Sequence, residues 1–124
     1  PQYRVPQKDV KDPTTKEQVV KKLGKVRTWR YIGPGYVVSL TAFFAVPKGE
    51  HNVRIVYDGS VSGLNDALWV PRFILPTLQT HLRSVKAGTY MADVDIGEMF
   101  LNFVPHESIR PYTGVDLTSY FPTE

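Results

Sequence analysis

The spacing of apolar positions changes from helical to alternating along the chain. Between Thr15 and Trp29, apolar residues recur three or four positions apart, which predicts an amphipathic helix that starts near Thr14. Residues 36–46 are β-branched and aromatic, residues 53–57 alternate, and residues 47–52 between them favour a turn. This pattern predicts a β-hairpin over residues 42–58 with a charged tip.

The second half of the chain predicts shorter elements. A helix is expected after Pro76, with its apolar side chains on the inner face and Gly88 just past its end. Residues 89–96 alternate as a strand that ends at Gly97, and residues 98–103 are expected to turn into a short helix. Residues 112–118 indicate a final strand or hairpin.

Composition narrows the class of protein. The chain has 124 residues, 42% of them hydrophobic and 22% charged, as expected of one small globular domain. It has no cysteine and three scattered histidines, which argues against thiolate or histidine metal sites. No apolar run is long enough to cross a membrane, so no membrane partner is expected. The start at Pro1 and the end at Glu124 suggest a piece cut from a longer protein.

Charge is divided unevenly along the chain. Residues 1–54 contain 11 Lys/Arg and 4 Asp/Glu, whereas residues 55–124 contain 4 and 8. A basic half joined to an acidic half can attract a polyanion at one end and cations at the other.

Two groups of charged residues are candidates for chemistry. Asp93 and Asp95 would project from one face of a strand, where carboxylates can hold Mg²⁺, with Glu98 as a third ligand. The alternative is an acidic surface strand followed by the first turn of a helix. Lys48 and Arg54 flank the hairpin turn and could converge on a triphosphate, or they could simply keep the tip soluble.

The order of several motifs resembles a reverse transcriptase of the retroviral or retrotransposon type. These motifs are YIGPGYVVSLTAFFAVPK (31–48), VRIVYDGS (53–60), SGLND (62–66), MADVDIGEMFLNF (91–103) and RPYTGVDLT (110–118). The resemblance covers most of the chain beyond the first dozen residues and corresponds to the fingers-to-palm stretch of that family.

The resemblance implies an α+β fold that is part of the right-hand polymerase fold. Residues 1–13 would be an arm or linker, and residues 14–66 the fingers subdomain with its helix and antiparallel hairpin. Residues 67–124 would be a partial palm subdomain, containing the first half of the palm sheet and the first acidic motif.

The resemblance also assigns roles to individual residues. Asp95 matches the catalytic aspartate that bridges both metal ions, and the backbone of Ile96 belongs to the same metal site. Phe100, five positions after Asp95, matches the bulky residue beneath the sugar and implies deoxynucleotide substrates. The remaining substrate-binding positions are Lys48, Arg54, Gly97, Glu98 and Met99.

The implied function is template-directed DNA synthesis by a longer parent enzyme. Its substrates would be deoxynucleoside triphosphates and a primer on an RNA or DNA template, with two Mg²⁺ ions, or Mn²⁺ in their place. The rest of the palm and the thumb would come from the remainder of a polyprotein, inside the cell. The second acidic motif, x-Asp-Asp, is absent from these residues, so the isolated chain is expected to be inactive.

This sequence departs from the family pattern in three places. The spacing of Lys48 and Arg54 need not match the usual hairpin length, the loop between Asp58 and Asn65 is longer than in retroviral enzymes, and Asp93 adds an acid. Two other functions stay open: a catalytically dead nucleic-acid-binding module with the same fold, and a Mg²⁺-dependent phosphohydrolase that uses Asp93, Asp95 and Glu98.

Overall fold

The computed structural model describes residues 2–122, so Pro1, Thr123 and Glu124 lie outside the described residues. Within them the chain is a small α+β domain with three α-helices and a two-stranded antiparallel hairpin. The elements in chain order are α1 (Pro13–Thr28), β1 (Ala42–Pro47), β2 (Val53–Asp58), α2 (Leu64–Ala67) and α3 (Leu78–Leu82), followed by 3₁₀ helices at Met99–Asn102 and Arg110–Tyr112.

Helix α1 confirms the predicted amphipathic helix and begins at Pro13. Proline suits this first position because its ring fixes φ and its missing N–H would be unpaired there anyway. The Thr15 hydroxyl donates to the Asp12 carboxylate at 2.7 Å, which ties the first turn to the residue before it. The apolar spacing buries one face of the helix, formed by Val19, Leu23 and Val26.

The predicted hairpin is also confirmed, with the predicted limits of residues 42 and 58. Strands β1 and β2 pair so that Phe43 lies opposite Tyr57 and Val46 lies opposite Arg54. Since side chains alternate along a strand, residues 43, 45, 53, 55 and 57 share the inner face, and residues 44, 46, 54 and 56 share the outer face.

The core lies between α1 and the inner face of the hairpin. Val19 and Leu23 of α1 are 1% exposed and pack with Phe43 and Val53 of the hairpin. Tyr120 closes this cluster from the C-terminal stretch, with its ring centroid 6.0 Å from that of Phe43. Burial of these side chains supplies the main stabilising free energy of the domain.

The arm predicted at residues 1–13 is bound to the domain where it is described. Residues 2–12 form no helix or strand, but the Gln7 carboxamide accepts from the Phe43 N–H at 3.1 Å and donates to the Phe43 carbonyl at 2.8 Å. The Leu40 N–H donates to the Tyr3 carbonyl at 2.7 Å. The arm therefore covers the edge of β1 that does not face β2, and an exposed strand edge is avoided.

The strand or hairpin predicted at residues 112–118 is wrong, because only one isolated bridge forms there. Gly114 pairs in parallel with Leu40, and the Thr41 N–H donates to the Gly114 carbonyl at 2.6 Å. A Cβ at position 114 would lie 2.6 Å from the Val37 side chain, so the close approach requires glycine. Beyond it, the Asp116 carboxylate accepts from the Thr118 N–H and hydroxyl, which turns the chain away from an extended course.

The largest correction concerns residues 65–104, which we call the open segment. Every residue from 65 to 97 is exposed, and the strand predicted at 89–96 is irregular. No described residue after Asp58 belongs to a strand of the sheet, so the predicted first half of a palm sheet is not formed in residues 2–122. A strand needs a neighbour to pair its backbone groups, and the described part of the chain offers none here.

The predicted helices of the open segment form, but they are short. Helix α3 lies where a helix was expected after Pro76, yet its apolar residues Leu78 and Leu82 are exposed instead of facing inward. The short helix expected at 98–103 is the 3₁₀ helix Met99–Asn102. Both elements are stabilised locally, since the hydrogen bonds formed within residues 66–104 join positions at most five apart.

Among the helices of residues 2–122, none is both long enough and apolar enough to span a bilayer.

Candidate functional site

The hairpin tip places the two predicted cationic residues on one face. The Lys48 N–H donates to the Asn52 carbonyl at 2.9 Å, which extends the ladder by one pair beyond β1 and β2. Gly49 follows at φ +73°, a left-handed conformation that glycine adopts without strain and that closes the turn. Lys48 and Arg54 are then diagonal neighbours across the ladder, with Cα atoms on the order of 7–8 Å apart on the outer face.

The surroundings of these two cations are apolar and open to solvent. Phe44 and Val46 share the outer face and are 49% and 38% exposed. Lys48 and Arg54 are themselves exposed, and within residues 2–122 neither forms an ion pair or a side-chain hydrogen bond. Two such cations on one face can bind an oxyanion through charge-assisted hydrogen bonds.

The predicted acidic residues do not lie at the end of a strand. Asp93 and Asp95 lie in the irregular, exposed stretch before the 3₁₀ helix. No group of three or more His, Asp or Glu side chains suited to a metal ion occurs in the described residues. The triad of Asp93, Asp95 and Glu98 expected for a phosphohydrolase is therefore not assembled, and these residues do not form a metal site by themselves.

Glu98 instead forms an ion pair with Lys22 of α1. The Lys22 Nζ lies 2.8 Å from the Glu98 Oε1, and the two side chains are only 20% and 28% exposed. Burial raises the pKa of the Tyr57 phenol, and the nearby Glu98 carboxylate raises it further. The Glu98 carboxylate therefore lies beside both α1 and β2.

The other predicted substrate residues follow or precede Glu98 in the open segment. Phe100 is 86% exposed, so its ring faces solvent and is not a core residue. Met99 and Ile96 are 51% and 55% exposed, and the Gly97 carbonyl oxygen accepts from the Asn102 side-chain amide at 3.0 Å. These residues form the surface of one tight turn.

The structure thus brings the predicted site residues together in two groups. Lys48 and Arg54 lie on the outer face of the hairpin, whereas Glu98 approaches Tyr57, which belongs to the inner face. Within residues 2–122, no ion pair joins Asp95 to either cation of the tip. The hairpin alone brings Lys48 and Arg54 together, whereas Glu98 is held by Lys22 of α1.

Sequence reasoning missed Lys22 and Tyr57 as neighbours of the acidic turn. Lys22 lies next to the buried residue Leu23 and three positions after Val19, so it borders the buried face of α1. A lysine at that border is a signal for a partly buried ion pair. Nothing in the sequence identifies Glu98 as its partner, since 75 residues separate the two.

In comparisons with known proteins, no family model, no curated protein and no solved structure matches this chain.

Proposed function

We propose that this chain is the fingers-to-palm part of a reverse transcriptase, in which the outer face of the hairpin binds the triphosphate of an incoming deoxynucleotide. The observation that carries the proposal is the register of β1 and β2. It places Lys48 and Arg54 on one face without an acidic partner in the described residues.

The chemistry of the two side chains suits a triphosphate. Arginine offers a planar fork that can bind two phosphate oxygens at once, and lysine adds a point charge for a neighbouring phosphate. The turn between them contains Gly49, and its residues are exposed, so a ligand can reach both cations from solvent. Glu50 and His51 lie at the end of the turn, where the His51 Nε2 is 3.9 Å from the Glu50 carboxylate.

The exposure of Phe100 is compatible with its proposed contact with the sugar. A core phenylalanine would be buried, whereas this ring is 86% exposed and free to meet a ligand or another part of the polypeptide. A phenyl group cannot accept a hydrogen bond from a ribose 2′-hydroxyl and would occupy its space. Selection of deoxynucleotides is therefore the proposed role of this residue.

We infer that the isolated chain does not catalyse synthesis. Asp95 supplies one carboxylate, and the described residues contain no cluster that could hold Mg²⁺ or Mn²⁺ without further ligands. The remaining ligands, the rest of the palm, the thumb and the grip on primer and template would come from other parts of a longer polypeptide. Binding of the triphosphate is the partial activity that the chain itself retains.

The experiment is a binding titration of the 124-residue chain with a deoxynucleoside triphosphate. Arg54→Ala removes a charge-assisted hydrogen bond and should weaken binding by about 1.5–3 kcal/mol, roughly 10- to 150-fold in Kd. The matched control is Arg72→Ala, which removes another exposed arginine, in the open segment, and should leave Kd unchanged. Equal losses in both variants, or none in either, would show that the tip does not form the site.

A second candidate function, nucleic-acid binding without catalysis, rests on a different surface. Lys21 and Lys25 of α1 and Trp29, directly after the helix, are four positions apart and exposed, and Trp29 is 66% exposed. Tyr36, shortly after the helix, is 79% exposed. Cations interleaved with exposed aromatic rings are typical of single-strand binding, because the rings stack on bases while the cations contact phosphates.

The two candidate functions predict that different substitutions weaken binding of different ligands. Trp29→Ala should weaken binding of a single-stranded oligonucleotide by about 1–3 kcal/mol and leave the triphosphate titration unchanged. Val61→Ala removes an exposed apolar side chain elsewhere and is the control. Oligonucleotide binding that is unaffected by Trp29→Ala would exclude this surface.

A further inference from the structure

The attachment of the acidic turn to the rest of the domain depends on few contacts. The hydrogen bonds formed within residues 66–104 are local, and residues 65–97 are exposed throughout. The first residue after that stretch with a partly buried side chain is Glu98, and its carboxylate pairs with Lys22 of α1 at 2.8 Å. This ion pair joins the open segment to the folded part of the domain.

Hydrogen bonds hold the turn around Glu98 together, so the ion pair can position the residues just before it. Glu98 has φ 51° and ψ 52°, a left-handed conformation that costs a residue with a side chain some backbone strain. The Asn102 amide donates to both the Gly97 and the Glu98 carbonyls, and the Leu101 N–H donates to the Glu98 carbonyl. These bonds hold residues 97–102 in one turn. Asp95 precedes that turn by two positions, so fixing the Glu98 carboxylate also limits where Asp95 can lie.

The protein surroundings favour a specific pair over a chance surface contact. Lys22 borders the buried face of α1, and both side chains are mostly shielded, so their attraction is screened less than that of exposed ions. Tyr57 lies close to the same carboxylate from β2. The pair therefore joins the acidic turn to α1 on the side of the helix that borders its buried face.

We propose that the Lys22–Glu98 ion pair docks the acidic turn onto the fingers and so sets the position of Asp95 relative to the hairpin tip. Lys22 and Glu98 are positioning residues in this account, since neither needs to touch the reacting atoms. The meaning of that position for catalysis rests on the proposed function, but the docking itself does not.

The absence of cysteine allows the docking to be measured directly. Two introduced cysteines, Asn52→Cys at the hairpin tip and Val94→Cys before the acidic turn, would carry spin labels for a pulsed electron-spin distance measurement. With Lys22 and Glu98 intact, we expect one narrow distance distribution. Lys22→Met should broaden it at least twofold, and the charge swap K22E/E98K should make it narrow again.

Two controls separate docking from folding. Lys21→Met removes the neighbouring exposed lysine and should leave the distribution narrow. The helix content and the urea midpoint of Lys22→Met should stay close to those of the same chain with Lys22 intact, since the core residues are unchanged. A broad distribution in the parent, a narrow one in Lys22→Met, or a charge swap that stays broad would each overturn the proposal. Triphosphate binding that is unchanged in Arg54→Ala, together with a narrow distribution, would overturn the proposed function and leave the docking intact, so the two proposals fail separately.

Discussion

The two halves of this molecule contain similar amounts of apolar sequence and bury it very differently. Around α1 and the hairpin, Val19, Leu23 and Val53 are at most 2% exposed. In the open segment, Trp69 is 85% exposed and Ile74 is 97% exposed. Apolar periodicity alone therefore does not make a core, because each apolar face also needs another element to pack against.

The hairpin has a packing partner close in sequence, whereas the open segment has none within residues 2–122. Helix α1 and β2 pack directly, and the two strands are joined by a short turn. The residues predicted as a palm strand at 89–96 have no neighbouring strand in the described chain. A large exposed apolar surface of this kind marks a site where other polypeptide binds or where a chain aggregates.

Truncating a leucine in each of the two regions tests this difference in burial. Leu23→Ala should lower the free energy of unfolding by about 2–5 kcal/mol, because it leaves a cavity between α1 and the hairpin. Leu75→Ala, in a side chain that is 69% exposed, should change it by less than about 0.5 kcal/mol. Urea unfolding followed by circular dichroism measures both; comparable losses would mean that the open segment is packed after all.

The arm can be tested by a smaller change. Gln7→Ala removes both hydrogen bonds to the Phe43 backbone and should cost about 1–3 kcal/mol of unfolding free energy, since those backbone groups lose their partners. Gln79→Ala on α3 is the matched control and should be close to neutral. Equal, near-zero effects would assign residues 2–12 to a linker that contributes nothing to the fold.

The smallest expected effect is a pH dependence at Asp116. Hydrogen bonds from Thr118, and then from the Gln7 N–H, lower the pKa of the Asp116 carboxyl below its ordinary value of 3.8. A pKa that is lower in the folded state stabilises the fold above the unfolded value, and this contribution is lost as pH falls through the folded value.

The corresponding measurement is the unfolding free energy as a function of pH in acid. Asp116→Asn should flatten the loss of stability below about pH 4, whereas Asp66→Asn on the exposed helix α2 should leave the slope as it is. An unchanged slope in Asp116→Asn would show that its hydrogen bonds form equally in the protonated state.

The elements that could be predicted from sequence are those whose partners are local. The limits of the hairpin follow from alternation on either side of residues 47–52, and α1 follows from its apolar spacing. The strand at 89–96 failed for the opposite reason, since its alternation presupposes a neighbour that local sequence cannot supply. The bond between Gln7 and Phe43 and the ion pair between Lys22 and Glu98 were not foreseen either, because they join distant positions by single side chains.

The candidate site divides in the same way. Lys48 and Arg54 are placed on one face by the hairpin register, which the sequence pattern already contains. The position of Asp95 depends on how the acidic turn docks, and the exposure of Phe100 depends on what covers the open segment. These are tertiary properties, so residue spacing could nominate the residues but could not assemble them.

A nuclear magnetic resonance titration measures directly whether the hairpin tip binds the triphosphate, as we propose. Addition of a deoxynucleoside triphosphate to the ¹⁵N-labelled chain should shift the Arg54 guanidinium signal and the backbone amides of residues 48–54, with saturation at a single Kd. Amides of α3, in the open segment, should not move. Shifts confined to α1, or no shift at the tip at concentrations that saturate binding, would contradict the account.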